Sequence, residues 1–217
     1  MASNLLTSSP SIPTIADLLD RLGGVPASRV RYFPLPGSAT EQDVIDIEAR
    51  ENRLFELVDG TLVEKGMGYR ESMLAVAIAS ALFGFVRPRK LGLVATADGM
   101  MRILPDQVRI PDVSFTSRER LPDGRVPTAS IPSISPDLAV EVLSENNTVR
   151  EMERKRSEYF QSGTRLVWIV DPMQRTVSVY TSPDQYTAYA ADQSIDGGDV
   201  LPGFTLDLGS LFALLDE

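Results

Sequence analysis

The 217-residue chain contains no cysteine and no histidine. Without cysteine it has no disulfides, zinc ribbons, iron–sulfur ligands or thiol nucleophile. Without histidine it lacks the commonest general base, the serine-type triad and imidazole metal ligands. Acid–base or metal chemistry must therefore use Asp, Glu, Lys, Tyr or water, and hard oxygen ligands favour Mg²⁺ or Mn²⁺ over zinc.

Long apolar runs are also missing from the sequence. The longest candidate, residues 74–86, is shorter than the ~20 residues that span a bilayer and is followed by Arg87, Arg89 and Lys90. Residues 1–13 are rich in Ser and Pro and lack the charged-then-apolar order of a signal peptide. We therefore expect a soluble, cytoplasmic protein without a membrane partner.

Positive charge is scarce, with 21 Lys and Arg against 30 Asp and Glu and a net charge of -9. An acidic chain is not an obvious binder of polyanions, which counts against a nucleic-acid substrate. Carboxylates in a metal site add to the negative total, however, and basic residues can cluster locally. The net charge alone therefore does not decide the substrate.

Hydrophobic periodicity predicts an α/β (α+β) fold with a mixed β-sheet flanked by helices. The predicted helices are 14–22, 40–52, 69–86, 148–161 and 211–215. The predicted strands are 54–58, 61–64, 92–96, 99–103, 108–117, 138–143, 165–170, 176–180 and 185–189. Asp59-Gly60 is typical of a tight β-hairpin turn, and the strand–helix–strand unit over 138–170 has the spacing of a right-handed βαβ crossover. We expect two regions, an N-terminal arm with short helices over 1–52 and the main domain over 53–217.

Three charged residues stand out from this pattern. Glu141 lies within Leu-Ala-Val-Glu-Val-Leu, and Asp112 follows Pro111 at the start of a predicted strand. A buried carboxylate must be protonated, paired or bound to metal, although a wet strand face is the simpler reading of a lone glutamate. Taken alone, Asp112 is better explained as an ordinary aspartate after a turn proline.

The third residue is Lys155, on the helix over 148–161. Its spacing places it with Met152 and Tyr159 on the stripe that faces the sheet, whereas Glu151 and Glu158 are predicted to point away from it. The alternative is a lysine that reaches out to solvent from the edge of that stripe. Two carboxylates on neighbouring strands can hold a divalent cation, and a lysine in the same cleft can neutralise developing charge.

Pro111-Asp112 followed by Glu141 on a later apolar strand resembles the PD-(D/E)XK nuclease superfamily. Leu143 stands where the usual Glu-x-Lys motif has its lysine, and Lys155 matches the lysine that some members carry on the next helix. The segments that resemble the Uma-type putative restriction endonuclease family are FELVDG (55–60), PDV (111–113), PDLAVEVLS (136–144), Lys155 with Tyr159, Gly163, WIVDP (168–172) and LPGF (201–204). The resemblance covers roughly residues 53 to 215.

This resemblance implies a restriction-endonuclease-like core and an endonuclease that hydrolyses DNA with Mg²⁺ or Mn²⁺. It assigns Asp112, Glu141 and Glu56 to the metal and Lys155 to catalysis, and a homodimer is compatible with it. Many members carry a histidine at the start of the first core helix, where this chain has Tyr69-Arg70-Glu71. Glu71 either replaces that histidine as an acidic ligand or has no role in the site.

Two other functions use the same residues. One is a catalytically inactive nuclease-fold protein that serves as a binding or regulatory module, and the other is a phosphohydrolase of small phosphates. If nucleic acid is the substrate, we expect basic residues at the rim of the cleft despite the net charge. The candidates for this rim are Arg70, Arg87, Arg89, Lys90, Arg118, Arg120, Arg150 and Arg154.

Overall fold

The structure of the protein, a computed structural model, describes residues 14–66 and 68–216, so the arm predicted over residues 1–13 lies outside it. The helices are α1 (Ile15–Arg21), α2 (Glu41–Glu51), α3 (Tyr69–Arg89), α4 (Val149–Gln161) and α5 (Leu208–Ala213). The strands are β1 (Phe55–Val58), β2 (Thr61–Glu64), β3 (Gly92–Thr96), β4 (Met101–Leu104), β5 (Gln107–Arg109), β6 (Val113–Ser117), β7 (Leu138–Val142), β8 (Leu166–Asp171), β9 (Thr176–Tyr180), β10 (Tyr186–Ala190), β11 (Ser194–Gly197) and β12 (Leu201–Asp207).

Within residues 14–66 and 68–216 the strands form three sheets. The first has four strands in the order β2-β1-β5-β4, and the second has six in the order β10-β9-β8-β7-β6-β3. Strands β11 and β12 form a separate pair that the periodicity analysis did not predict. The mixed α/β class with hairpins and flanking helices is confirmed, although the strands are divided among several sheets.

The second sheet contains the predicted βαβ unit. Strand β7 pairs with β8 in parallel, and α4 makes the connection between them. Every other pairing in this sheet is antiparallel, which makes the sheet mixed. The apolar run of β7 is buried at every position, as expected for an interior strand.

The single strand predicted over 108–117 is wrong. The chain leaves the four-stranded sheet after β5 and enters the six-stranded sheet at β6, with Pro111 between them. Proline has no N–H to donate to a ladder, so a strand break at this position has a local cause. This break places Asp112 where the two sheets meet.

Helix α3 lies in the main core, with Leu74, Ile78, Leu82 and Val86 buried against the six-stranded sheet and its neighbours. It continues through Pro88 and ends later than predicted. By length and composition alone α3 could cross a membrane, although the sequence predicts an apolar run that is too short. Core helices of soluble proteins also reach this length and hydropathy, so the observation is weak evidence for a membrane span.

The segment before the first hairpin is tied to the rest of the fold. Arg29 donates two hydrogen bonds to Glu151 of α4, at 2.9 and 2.8 Å, and both side chains are buried. Val30 makes a β-bridge with Val63 of β2, and the apolar side chains of α1 pack on the same hairpin. Buried ion pairs of this kind fix the position of α4 relative to the hairpin.

Candidate active site

The register of β6 and β7 brings the two predicted carboxylates together. Val113 lies opposite Val140, and continuing that antiparallel register by one residue puts Asp112 opposite Glu141. Side chains alternate along a strand, so Glu141 shares a face with Ala139, which packs below α4 with Tyr159. Asp112 and Glu141 are each 3% exposed, so both carboxylates are largely removed from water.

Each carboxylate is oriented by a neighbouring group. Asp112 Oδ2 accepts a hydrogen bond of 2.6 Å from the backbone N–H of Val142, on the adjacent strand. Glu141 Oε1 accepts a hydrogen bond of 2.6 Å from the Tyr159 hydroxyl. These contacts leave Asp112 Oδ1 and Glu141 Oε2 for other partners.

Lys65 occupies the space between those two remaining oxygens. Its Nζ lies 2.8 Å from Asp112 Oδ1 and 3.2 Å from Glu141 Oε2. Sequence reasoning missed this residue, which directly follows β2 in Val-Glu-Lys-Gly. Its one local signal is a lysine placed immediately after an apolar strand.

Lys155 points inward, as its position on the helical stripe predicts. Its Nζ lies 3.0 Å from Glu56 Oε1 and 3.5 Å from Glu141 Oε2, and its side chain is 2% exposed. The solvent-facing alternative for Lys155 is therefore wrong. The four residues singled out from the sequence, Asp112, Glu141, Lys155 and Glu56, lie in one cluster.

Glu56 is held by positive and N–H groups on both oxygens. Besides Lys155, Oε1 accepts a hydrogen bond from the Ile110 N–H at 3.2 Å, and Oε2 accepts one from Arg109 at 2.8 Å. Arg109 also donates to Glu158 at 2.7 Å. Glu56 thus lines the cluster with both carboxylate oxygens engaged by Lys155, Arg109 and the Ile110 N–H, and its role as a metal ligand stays a prediction from the sequence.

The outward orientation predicted for Glu151 and Glu158 is wrong. Both are buried, Glu151 by its pair with Arg29 and Glu158 by its pair with Arg109. Their partners come from distant parts of the chain, so the helical pattern of α4 alone does not reveal them. Charged residues are rarely buried unless they are paired, and these two follow that rule.

Burial and charge act in opposite directions on the cluster. Burial alone would lower the pKa of Lys65, but Glu141, Asp112 and Glu56 outweigh it and hold that pKa well above its usual range. Burial would raise the pKa of Glu56, but Lys155 and Arg109 outweigh it and hold that pKa well below its usual range. Both groups are therefore charged at neutral pH.

Two clefts open beside the cluster. One, of about 480 Å³, is lined by Lys65 and Asp112 together with Arg53, Asp98 and residues of α3. The other, of about 610 Å³, is lined by Gly66, Glu71, Leu143 and their neighbours. Asp112 and Lys65 are thus the members of the cluster that solvent reaches through the first cleft.

Comparison with known proteins places the chain in a family. The family model Uma2, described as "Putative restriction endonuclease", matches residues 42–209, which is more than half of the 217 residues. The chain belongs to the Uma2 family. A comparison with curated proteins found no match.

Among solved structures, the Uma2 chain is similar to the crystal structure of a putative nuclease belonging to DUF820 from Anabaena variabilis ATCC 29413. The TM-score is 0.67 at 22% sequence identity, and the match covers 75% of this chain and 91% of that chain. This likeness shows the fold. Family and fold together support a restriction-endonuclease-like nuclease, as the sequence resemblance implied.

The Uma2 family implies a divalent cation, and the residues present fit one. Asp112 Oδ1 and Glu141 Oε2 are hard oxygen donors directed at one point, the position of the Lys65 ammonium. Within residues 14–66 and 68–216 no group of three or more Asp or Glu side chains is arranged to hold a metal. Mg²⁺ is commonly held by one or two carboxylates with water and substrate phosphate completing its shell, so two carboxylates suffice.

The predicted basic rim is mostly wrong. Arg118 follows the end of β6 and Arg120 pairs with Asp137 at the start of β7, so both lie at the opposite end of these strands from Asp112 and Glu141. Arg87, Arg89 and Lys90 lie at the C-terminal end of α3, just before β3. The first residue of β3, Gly92, pairs with Ser117, so these three basic residues also lie at the end of the sheet far from Asp112 and Glu141.

The remaining rim candidates divide between ion pairs and a cleft. Arg150 pairs with Asp20, and Arg154 pairs with Asp59 and Glu158. Arg70 lines the 610 Å³ cleft, and Glu71 lines it as well. Of the proposed rim, Arg70 is therefore the cation that faces a cleft next to the cluster.

Proposed function

We propose that this Uma2 protein is a Mg²⁺- or Mn²⁺-dependent endonuclease that hydrolyses DNA phosphodiester bonds. The observation that carries this proposal is the convergence of Asp112 Oδ1 and Glu141 Oε2 on a single cation position in a nuclease fold. Asp112 and Glu141 would hold the metal. Cytoplasmic location and a homodimer stay predictions from the sequence.

A bound divalent cation supplies an activated water and stabilises negative charge on the phosphate. The chain's own residues position the ligands for that cation. The Val142 N–H fixes Asp112, and the Tyr159 hydroxyl fixes Glu141. These two hydrogen bonds hold the carboxylates in place before the metal and the substrate bind, so the ligands need not be reoriented during the reaction.

Lys155 takes a different role from the one the resemblance implies. It is buried behind Glu141 and in contact with Glu56, so its ammonium holds the glutamates rather than reaching into a cleft. We therefore assign Lys155 as a positioning residue. Its charge lowers the cost of keeping Glu141 ionised away from water.

The shape of the surface favours a polymeric substrate over a small phosphate. Two open clefts, of about 480 and 610 Å³, lie beside the cluster, one lined by Lys65 and the other by Gly66. A small phosphate would need one closed pocket with convergent cations, whereas open clefts leave room for a longer substrate. Asp112 faces the first cleft and Glu71 faces the second.

The test is cleavage of supercoiled plasmid DNA with and without Mn²⁺. We expect nicking that requires the metal, stops on chelation and falls steeply as salt is raised. An RNA of similar length and a small aryl phosphate serve as alternative substrates. Hydrolysis of the aryl phosphate without plasmid nicking would support the small-phosphate function instead.

One observation favours a second function, that of a catalytically inactive binding module. The cation position between Asp112 and Glu141 already holds the Lys65 ammonium, and the chain carries a net charge of -9. A site neutralised from within can persist as part of a stable fold without metal. Absence of Mn²⁺ binding together with absence of cleavage under any divalent metal would refute the nuclease function and favour this second one.

A further inference from the structure

The chain uses lysine sparingly, at Lys65, Lys90 and Lys155 alone among its 21 basic residues. Two of these three lie in the candidate active site, and their surroundings differ. Lys155 lies on α4 and contacts Glu56 and Glu141 from the side of that helix. Lys65 follows the end of β2 and contacts Asp112 and Glu141 from the side of the 480 Å³ cleft.

We propose that Lys65 is a resident cation of the Asp112–Glu141 pair that a divalent metal displaces, and that the displaced ammonium turns into the 480 Å³ cleft to contact the substrate phosphate. This inference rests on the proposed function. It names Lys65, rather than Lys155, as the lysine that touches substrate.

The first argument is that two cations cannot share the position. Lys65 Nζ contacts the same two oxygens that would hold a metal, at 2.8 and 3.2 Å. A metal ion bound to those oxygens at about 2.0–2.6 Å would overlap the ammonium, and the two positive charges would repel strongly in a desolvated site. Metal binding therefore requires Lys65 to leave.

The second argument is that Lys65 has somewhere to go. Lys65 lines the 480 Å³ cleft next to Asp112, and the following residue, Gly66, has open space around its Cβ position. A lysine side chain is long and flexible, so its ammonium can move by several ångströms without a change in the strand. Lys155 lines neither the 480 Å³ cleft nor the 610 Å³ cleft, so its ammonium has no comparable route.

A merely structural ion pair would behave differently. If Lys65 only stabilised the fold, a metal would bind elsewhere or not at all, and the ammonium would stay on its carboxylates. The two cases separate by whether the amine of Lys65 becomes accessible when metal is added.

The first experiment measures that accessibility in the wild-type protein, by acylation with acetic anhydride followed by mass spectrometry. Lys90 is exposed and reports full reactivity, and Lys155 reports a buried amine. Addition of saturating Mn²⁺ should raise the acylation rate of Lys65 by roughly tenfold or more, with the rates of Lys90 and Lys155 unchanged. An unchanged Lys65 rate at saturating Mn²⁺ would overturn the proposal.

The second experiment compares Mn²⁺ affinity by calorimetry in Lys65→Met and Lys90→Met. Both variants lose one positive charge, so they have the same net charge and differ in whether the lost ammonium lay on the carboxylates. We expect Lys65→Met to bind Mn²⁺ roughly tenfold or more tightly than Lys90→Met, because no ammonium competes for the carboxylates. Equal affinities would overturn the displacement.

Cleavage rates at saturating Mn²⁺ complete the test. Lys65→Met should cleave plasmid roughly tenfold or more slowly than Lys90→Met, because it lacks the cation that meets the phosphate. Faster cleavage by Lys65→Met would show a blocking group instead and overturn the role in substrate contact. If the wild-type protein binds Mn²⁺ and cleaves DNA, but the acylation rate of Lys65 does not change and Lys65→Met behaves like Lys90→Met, this inference alone is refuted. If the wild-type protein neither binds Mn²⁺ nor cleaves DNA, the proposed function is refuted as well.

Discussion

The Tyr159 hydroxyl donates a hydrogen bond of 2.6 Å to Glu141 Oε1, joining α4 to the central strand of the sheet. Burial, together with the charges of Glu141 and Glu56, raises the pKa of Tyr159 well above its usual value, so the phenol stays protonated and can donate. This contact orients a carboxylate that the proposed function requires.

Tyr159→Phe should lower the free energy of unfolding by about 1.5–3 kcal/mol, the range for a buried hydrogen bond to a charged group. Urea denaturation measures the change. Tyr69→Phe is the matched control, since that ring is 82% exposed, and it should change stability by less than about 0.5 kcal/mol. Equal effects of the two substitutions would show that the hydroxyl contact contributes nothing.

Lys155→Met should destabilise the fold by about 3 kcal/mol, the lower end of the range for removing one partner of a buried ion pair, because Glu56 keeps Arg109 and Glu141 keeps Lys65. Glu56→Gln in the same background should cost less than it does in the wild type, since one of the two carboxylates that lost a partner is then neutral. A double-mutant cycle by urea denaturation measures this coupling. Strict additivity of the two substitutions would contradict the assigned contact between Lys155 and Glu56.

Gly23 and Gly24 form a matched pair for testing how the N-terminal segment docks on α4. Both have positive φ, +86° and +77°, so alanine strains the backbone at either position. At Gly23 a Cβ would lie 2.7 Å from the backbone N of Glu151, whereas at Gly24 nothing lies within 4 Å. Gly24→Ala should therefore cost about 1 kcal/mol, and Gly23→Ala should lower Tm clearly further. Equal Tm values would show that the segment does not pack closely on α4.

The Arg29–Glu151 pair predicts a pH dependence of stability. Burial alone would raise the pKa of Glu151, but the hydrogen bonds and charge of Arg29, with the charge of Lys155, outweigh it and hold that pKa below 4.5. A depressed folded-state pKa adds stability above the unfolded-state pKa, and this stability is lost as pH falls through the folded-state value.

Stability should therefore fall below about pH 4.5, and Glu151→Gln should show a shallower fall than wild type. Unfolding midpoints in urea from pH 7 down to pH 3 measure the slope. Glu153→Gln, which changes an exposed carboxylate two residues away on the same helix, should keep the wild-type slope. The same slope in Glu151→Gln as in wild type would refute the linkage.

Local patterns explain which parts of this structure could be predicted from sequence. The apolar run of β7 and the helical stripe of α4 are short-range features, so they predicted the βαβ unit and the inward position of Lys155. Pro111 indicates a strand start, but the switch of the chain from the four-stranded to the six-stranded sheet depends on tertiary packing. Sequence periodicity does not encode that packing.

Lys65, Glu151 and Glu158 were not predicted correctly for one physical reason, which is that their partners are distant in the sequence. Lys65 is functional in this account because its hairpin lies beside β6 and β7, and nothing in Val-Glu-Lys-Gly indicates that neighbour. Glu151 and Glu158 are buried because Arg29 and Arg109 reach them from other elements. Long-range ion pairs of this kind reverse the solvent-facing orientation that a helical wheel assigns.

The proposed role of Asp112 as a metal ligand is tested by Mn²⁺-dependent nicking of supercoiled plasmid, with Asp112→Asn and Asp98→Asn compared with the wild type. Asparagine at residue 112 can still accept the Val142 N–H bond but lacks the carboxylate charge. Asp98 is the matched control, because it lines the same cleft but, within residues 14–66 and 68–216, forms no salt bridge with Lys65. We predict metal-dependent nicking by wild type and Asp98→Asn, and a rate lower by roughly a hundredfold or more in Asp112→Asn. Equal metal-dependent nicking by all three proteins would show that the Asp112 carboxylate does not hold the catalytic metal.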